Sequence, residues 1–406
     1  MRFKILIISS MYTEFLSEIY RLNSNLYNET YKDQLEFLLD HTSDIVGSHV
    51  RAFRKMGLDA SCIIVNANSL QKTWRKENEF NLLNSFELVY NQVKKYKPDV
   101  LFIYSREFLS HYWISQIRQS ISQIKLIIGS HCAPYYEKNI KDFKNLDFML
   151  TCTPGLNNDF KKYGIKSYLL YHGFDIDLNN RIKRVDCKDK LDIAFSGSLF
   201  LGGGFHNTRL KYIEGILDSG INMEVYANIE DKFRIFLKQM LFKTNKISKR
   251  IGVNGFLNKL SFFKDYSDFL ETPVHNYSEK LMKKIKHPVF GLKMYELISR
   301  TKIIFNIHGD IANQYAGNVR LFEATGLGAC LLTDNKINIG DLFVPGKEIV
   351  VYDGINDCIE KIKWLLDNDS KRIEIAKAGQ ERTLKTHTIE HRCNDLIDII
   401  EKELKN

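Results

Sequence analysis

The sequence predicts an α/β protein of two Rossmann-like, doubly wound domains that face each other across a cleft. Apolar, strand-like runs alternate with helical patterns through the first half. The alternation stops at a polar, charged stretch, "RIKRVDCKDK" (181–190), and then starts again. A chain of 406 residues is long enough to give each half a full hydrophobic core. Strand–helix alternation of this kind is the rhythm of a parallel sheet covered by helices on both faces.

In the first half the strands are "FKILIIS", "DASCIIVN", "DVLFIYS", "IKLIIGSH" and "FMLTCT". The intervening helices are "DIVGSHVRAFRKMG", "HYWISQIRQSI" and "PGLNNDFKKYG". After the linker come strand "LDIAFSGS", helix "TRLKYIEGILDSG" and strand "INMEVYA". Helix "GLKMYELISRT" and strand "KIIFNIHG" follow, then "NVRLFEATGLGACLLTD" and "EIVVYD". The end, from about 355, reads as helix. The expected domains are 1–180, completed by a terminal helix at about 388–406, and 190–387, with a basic insertion at about 240–288. Ligands of such sheets bind outside the carboxyl ends of the strands, so the cleft between two sets of strand ends is the expected site.

Composition narrows the class. Hydrophobic content of 44% and charged content of 26% are those of a soluble globular protein, and no apolar run reaches the ~18 residues of a membrane span. "MRFKILIISSMY" has too short an apolar run for a signal peptide and reads as the first strand, so a cytoplasmic location is expected. Seven cysteines without a close C-x-x-C pair argue against a disulfide framework or a structural zinc site, and no metal or cofactor is expected. The net charge of +9 is unevenly spread. Residues 240–264 hold six Lys or Arg, among them Lys243, Lys246, Lys249 and Arg250, with no acid and with interleaved apolar residues. Such a segment suits an anionic membrane surface, at which the protein would sit peripherally, or a phosphorylated acceptor; a solvated helical face is the alternative. No zinc-finger spacing, helix-turn-helix or RNA-binding motif is present, so no nucleic-acid partner is expected.

Four features fall at strand ends. In "NVRLFEATGLGACLLTD" (318–334), Asn318 suits a helix N-cap, and Arg320 and Glu323 lie in the first turn of a short helix that Gly326 and Gly328 terminate before a buried strand. Free N–H groups and the helix dipole favour a phosphate at that end, and a carboxylate there can accept hydrogen bonds from sugar hydroxyls; an acid complementing its own helix dipole is the alternative. His131 follows "IKLIIGS", and His308 follows "KIIFNI". A lone strand-end histidine is ordinarily a hydrogen-bonded, partly buried ring, but two at one edge of two domains mark a site. The loop "GSLFLGGGFHN" (197–207), starting at Gly197 and Ser198, leads to a helix with Arg209 in its first turn. Its glycines let backbone N–H groups approach a phosphate, although the loop matches neither established phosphate-binding pattern and a ligand-free turn fits it as well. "DID" (175–177) has no further converging acids, as a hard cation would need. No nucleophile elbow or H-E-x-x-H helix is present.

Taken together, "GLKMYELISRTKIIFNIHGD", "NVRLFEATGLGACLLTDN", "LFVPGKEIVVYD" and "RIEIAKAGQERTLKTHTIEHR", with "IIGSHCAP" and "YHGFD" in the first half, resemble a GT-B glycosyltransferase. The likeness is greatest to the bacterial spore-maturation-protein-like group related to glycosyltransferase family 4, and it covers most of 95–235 and 290–395. It implies a nucleotide-diphosphate sugar donor held by the C-terminal domain and an acceptor met by the N-terminal domain. The product would be a cell-surface polysaccharide, glycolipid or glycoprotein. The resemblance places Glu323 on the donor ribose, Arg320 and the helix terminus on the diphosphate, and His131 in the cleft near the transferred sugar as the catalytic residue. It also lets Gly326 and Gly328 bring the following strand close. The sequence departs from the pattern twice. Family 4 members usually carry a second acid eight positions before the ribose-binding one, where this chain has Tyr315, and the usual Arg and Lys pair after the first C-terminal strand is missing. Arg209, Arg320 and the glycine loop would then hold the diphosphate, without metal. A nucleotide-sugar epimerase or hydrolase on the same fold, or a non-catalytic nucleotide-sugar-binding or membrane-scaffold protein, are the alternatives.

Overall fold

The computed structural model describes residues 3–42, 45–81, 84–132, 135, 140–182, 190–201, 207–251, 275–309 and 314–405. Within them the chain forms two six-stranded, wholly parallel sheets. The first contains β1 (Lys4–Ser9), β2 (Asp59–Ile64), β3 (Val100–Ile103), β4 (Leu126–Ser130), β5 (Phe148–Thr151) and β6 (Ser167–Leu169), in the order β2-β1-β3-β4-β5-β6. The second contains β7 (Leu191–Leu199), β8 (Met223–Ile229), β9 (Ile285–Lys286), β10 (Thr301–Asn306), β11 (Cys330–Asp334) and β12 (Val350–Tyr352), in the order β12-β11-β10-β7-β8-β9. Each is a Rossmann-like α/β unit.

The apolar runs have the composition they have because both faces of each sheet are covered. In β1, Ile5 and Ile7 enter one core while Leu6 and Ile8 enter another on the opposite face. In β10, Ile303 and Phe305 face one core and Ile304 the other. Polar residues gather at the carboxyl ends of these strands: Ser9 and Ser10 at the end of β1, Asn306 and His308 around the end of β10, Asp334 at the end of β11.

The terminal helix Ile389–Lys405 returns to the first sheet. Ile389, Cys393, Leu396 and Ile400, spaced four, three and four apart, join the core that contains Ile5 and Ile7. The crossing is a backbone bridge: the Phe174 N–H donates to the His387 carbonyl at 2.8 Å, and the Ile389 N–H donates to the Phe174 carbonyl at 2.9 Å. A Cβ placed on Gly326 would collide with the Phe174 ring. Gly326 is therefore small because of the crossing segment, not because the next strand must pack close. Gly328, with φ +75°, supplies the left-handed turn before β11.

Several boundaries differ from those the sequence suggests. β7 runs to Leu199, so Gly197 and Ser198 are strand residues paired with Ala227 and Asn228 of β8, not the start of a loop. Gly202, Gly203 and Gly204 lie outside the described residues, as does most of the linker (183–189). In the basic segment, residues 240–250 belong to the helix Lys232–Arg250; positions 252–264 and the Lys249 side chain lie outside the described residues. Among the described residues no helix is long and apolar enough to cross a membrane.

Candidate functional site

The helix Arg320–Gly326 sits between β10 and β11 and is almost wholly buried, from Leu321 to Gly326. Asn318 does not cap it. Val319 is the cap residue, in helical conformation and without a side-chain capping bond. Asn318 instead donates from Nδ2 to Asn306 Oδ1 at 2.8 Å, while Asn306 donates to Thr333 Oγ1 at 2.9 Å. The local reason is competition: strand-end polar groups of β10 and β11 need partners in the interior, and Asn318 supplies one. Its own Oδ1 stays buried with no hydrogen-bond partner.

Glu323 is 5% exposed. Tyr295 donates to its Oε1 at 3.0 Å, and Arg320 Nη1 stands 2.8 Å from its Oε2. That second approach is an ion pair without hydrogen-bond alignment, since Glu323 Oε2 and Arg320 Nη1 are both buried and lack a hydrogen-bond partner. Arg320 also reaches the Ser196 carbonyl at 3.4 Å and Met294 Sδ at 3.3 Å through Nη2. A buried carboxylate and guanidinium with unused acceptor and donor capacity are costly unless a third group satisfies them.

Both side chains line a cavity of about 390 Å³ between the two domains. The first domain contributes Ser9, Ser10, Met11, Tyr12, Phe15, Thr42, Val46 and Tyr104; the second contributes Phe290, Gly291, Met294, Tyr295, Val319, Arg320 and Glu323. Gly291 is required at this seam: its φ is +55°, and a Cβ there would lie 2.8 Å from the Phe15 ring. The aromatic and hydroxyl wall from "SSMYTEF" and Tyr104 had no signal in the sequence, because hydroxyl and aromatic residues without glycine form no phosphate-binding pattern.

Behind the helix, His308 is buried at the end of β10 and bound to Asp334 at the end of β11. Its backbone N–H donates to Asp334 Oδ1 at 2.9 Å and its Nδ1 lies 2.7 Å from the same oxygen. Burial opposes ionisation of Asp334, yet the hydrogen bonds and charge of His308, with Lys336 at 3.2 Å, hold its carboxyl below the ordinary value. With Nδ1 held by the carboxylate, Nε2 is left buried without a hydrogen-bond partner. Arg209 Nε donates to the Ile307 carbonyl at 3.2 Å, which brings the arginine to the same strand end. Asp334 is a site residue that the sequence does not reveal, being one acid among many until the sheet sets it beside His308.

The remaining residues fall elsewhere. His131 stands at the end of β4, but its ring is buried, 5.3 Å from that of Phe143 and 6.3 Å from that of Tyr135, and does not line the cavity. Tyr315 lies over Gly155, where an added Cβ would be 2.6 Å from its ring. The acids of "DID" are taken by cations of the helix Ile45–Lys55: Asp175 pairs with Arg51 and Asp177 with Lys55. Lys243, Lys246 and Arg250 lie on the helix Lys232–Arg250 and do not line the cavity.

With this geometry in place, likeness to known proteins becomes informative. Residues 247–398 match the glycosyl transferase-like family model. That region includes β10, β11 and the helix with Arg320 and Glu323. Among solved structures, Anabaena HepE in complex with UDP and glucose is similar in fold, with a TM-score of 0.61 at 9% identity, covering 99% of this chain and 100% of its own. A glycosyltransferase from Rickettsia africae gives 0.58 at 11% identity over 100% and 99% of the two chains. Sucrose-phosphate synthase from Thermosynechococcus elongatus gives 0.57 at 10% identity over 98% of each. Identities this low establish the fold. No curated protein matches the chain. The regional match and the shared two-domain GT-B fold together support a glycosyltransferase.

Proposed function

We propose that the protein transfers a sugar from a nucleotide-diphosphate donor to a glycan or lipid-linked acceptor of the cell surface. The observation that carries this reading is the buried Arg320–Glu323 pair, which lines an interdomain cavity and whose ion-paired atoms have no hydrogen-bond partner. A sugar diol fits that need, because each hydroxyl both donates and accepts. The ribose of the donor is assigned to Glu323. Its diphosphate is assigned to Arg320, Arg209, Asn318, His308, Gly197 and Ser198, with the two guanidinium groups able to stabilise the leaving charge. The structures of HepE with UDP, and with UDP and glucose, support a uridine nucleotide as the first donor to test.

The acceptor side is assigned to the first domain, where Ser10, Tyr12 and Tyr104 line the cavity. The catalytic base is assigned to His131 by resemblance alone, and a turnover assay of His131→Ala with the true acceptor tests that assignment. The grouping with spore-maturation-like enzymes rests likewise on the sequence motifs. An exposed apolar stripe on the helix Lys232–Arg250 supports peripheral contact with an anionic membrane.

Calorimetry with UDP, GDP, ADP and dTDP tests the donor. One of them should bind at a single site, and a folded protein that binds none refutes the reading. Release of sugar from the matching donor without acceptor would favour an epimerase or hydrolase. The replacement of the usual acid by Tyr315 favours a non-catalytic binder, which binding without sugar release under any acceptor would support.

A further inference from the structure

The neighbouring strands β4, β5 and β6 of the first sheet bring together three residues that no sequence pattern links. Cys132 lies just past β4, Cys152 directly follows β5 and His172 lies just past β6. They are twenty residues apart in each step, far outside any C-x-x-C spacing. Parallel strands in sequential order erase that separation. Both sulfur atoms and a ring nitrogen of His172 lie within 4.8 Å of one another. Cys152 is buried, and Cys132 and His172 are half-buried.

We propose that Cys132, Cys152 and His172 bind a transition-metal ion, zinc foremost, with a fourth position left for water or another ligand. Two thiolates and an imidazole are the donor set of zinc and its borderline-soft neighbours, and they offer no oxygen to magnesium or calcium. With metal–sulfur bonds of ~2.3 Å and metal–nitrogen bonds of ~2.0 Å, tetrahedral donors stand roughly 3.5–3.8 Å apart. Closing the present cluster onto an ion therefore takes about an ångström of side-chain movement. The thiols are already polarised: the hydrogen bond from Cys152 first, then His172, draws the Cys132 thiol well below its usual range, while donating that bond, together with burial, pushes Cys152 up. An incoming cation would displace the proton that Cys152 keeps.

The position suggests a bracing role. None of the three lines the cavity with Glu323. The segment leading into the helix Arg320–Gly326 rests on this cluster: a Cβ on Gly317 would collide with the Cys152 carbonyl. Asn338 holds the same segment, accepting from the Ala316 N–H at 2.6 Å and donating to the hydroxyl of Tyr171, next to His172, at 3.2 Å. An ion here would fix the strand ends beneath that segment, whether or not the protein transfers sugar.

The test is anaerobic titration of the reduced full chain with Co²⁺ alone. Expected are one equivalent bound, thiolate-to-cobalt charge-transfer absorption, the visible bands of four-coordinate cobalt, and displacement by Zn²⁺. Cys132→Ser and His172→Gln, at half-buried positions, should each weaken binding by at least about 100-fold, since loss of a ligand exceeds the effect of losing its outer partner. Cys358→Ala, at a thiol outside the cluster, should leave binding unchanged. Zn²⁺ should raise the melting temperature of the wild type and not that of Cys132→Ser. The proposal is overturned by a reduced chain that takes up no cobalt, by absorption that survives in Cys132→Ser and His172→Gln, or by ready closure of a Cys132–Cys152 disulfide in a chain that excludes cobalt when reduced.

Discussion

Glu323 shows what can and cannot be read at the scale of one residue. Its place on a short helix between two strands was legible, since "NVRLFEATGLGACLLTD" encodes the helix, its glycine stop and the buried strand. Its partners were not, because Tyr295 comes from another helix 28 residues away. The same limit hid Asp334 and misassigned Asn318 as a cap: both are explained by neighbours across the sheet, which local preference does not contain. His131 stands just past β4, as the sequence places it, but its ring packs near Phe143 and does not line the cavity, and side-chain surroundings are harder to read than position. For Glu323 the consequence is measurable. Glu323→Gln keeps the shape and the Tyr295 contact but removes the charge that faces Arg320 and that the proposed ribose contact uses. Nucleotide affinity should fall by ~1.5–3 kcal/mol, about 10- to 150-fold in Kd, by calorimetry. Unchanged affinity in a folded variant removes Glu323 from the donor site.

At the scale of an element, the helix Lys232–Arg250 carries more information than its charge. Its buried face includes Ile235, Lys238, Leu241 and Asn245, at three- and four-residue spacing. Lys238 is satisfied there by Glu230 and the Leu201 carbonyl. Phe233, Phe236, Met240 and Ile247, with Ile251 just beyond, form a second apolar stripe, and it is exposed: 73% at Phe233, 57% at Phe236 and 59% at Ile247. Lys232, Lys243, Lys246 and Arg250 flank it. A solvated face has no use for such a stripe, whereas an interfacial helix buries it among acyl chains and sets its cations against headgroups. The sequence showed the charge run but placed its start at 240, whereas the helix starts at Lys232, capped by Asp231. Each cation near an anionic leaflet contributes ~1 kcal/mol, screened over a Debye length. Neutralising Lys243, Lys246, Lys249 and Arg250 should weaken binding to phosphatidylserine vesicles mainly at low salt. Phe233→Ser with Phe236→Ser should weaken it at any salt. Nucleotide affinity should not change in either. Vesicle binding that survives both changes makes the helix an ordinary surface.

Over the whole molecule, the two sheets were legible because parallel strands buried on both faces are continuous apolar runs, and the return of the terminal helix was implied by the resemblance. How the return is secured was not legible, since it depends on the contacts of His387, and the motif that contains this histidine does not reveal them. His387 ends the helix Asp369–Thr386 just before the crossing, and its carbonyl accepts from Phe174. Its Nε2 bonds the Leu342 carbonyl at 2.8 Å, and its Nδ1 lies 2.7 Å from Arg392 Nη2. A carbonyl can only accept and a guanidinium can only donate, so the ring is held neutral, with its proton on Nε2. Burial first, then the charges of Arg392 and Arg382, push it down to about 4. In the unfolded chain the imidazole returns to ~6.5. Between those values the unfolded state binds a proton that the native state refuses, so stability is complete above about pH 6.5 and is lost as pH falls toward about 4. The loss approaches ~1.4 kcal/mol per pH unit inside that window. Because the same ring bonds a carbonyl of the second domain and an arginine of the terminal helix, protonation would loosen the link between the domains as well as the local turn. In His387→Gln the amide can still donate to Leu342 but does not titrate. Its denaturant midpoint should start below that of the wild type at pH 8, and the difference should shrink as pH falls from 6.5 to 4. Parallel midpoint curves for the two proteins would show that His387 titrates as it does in water, and the neutral ring would then have no part in holding the crossing.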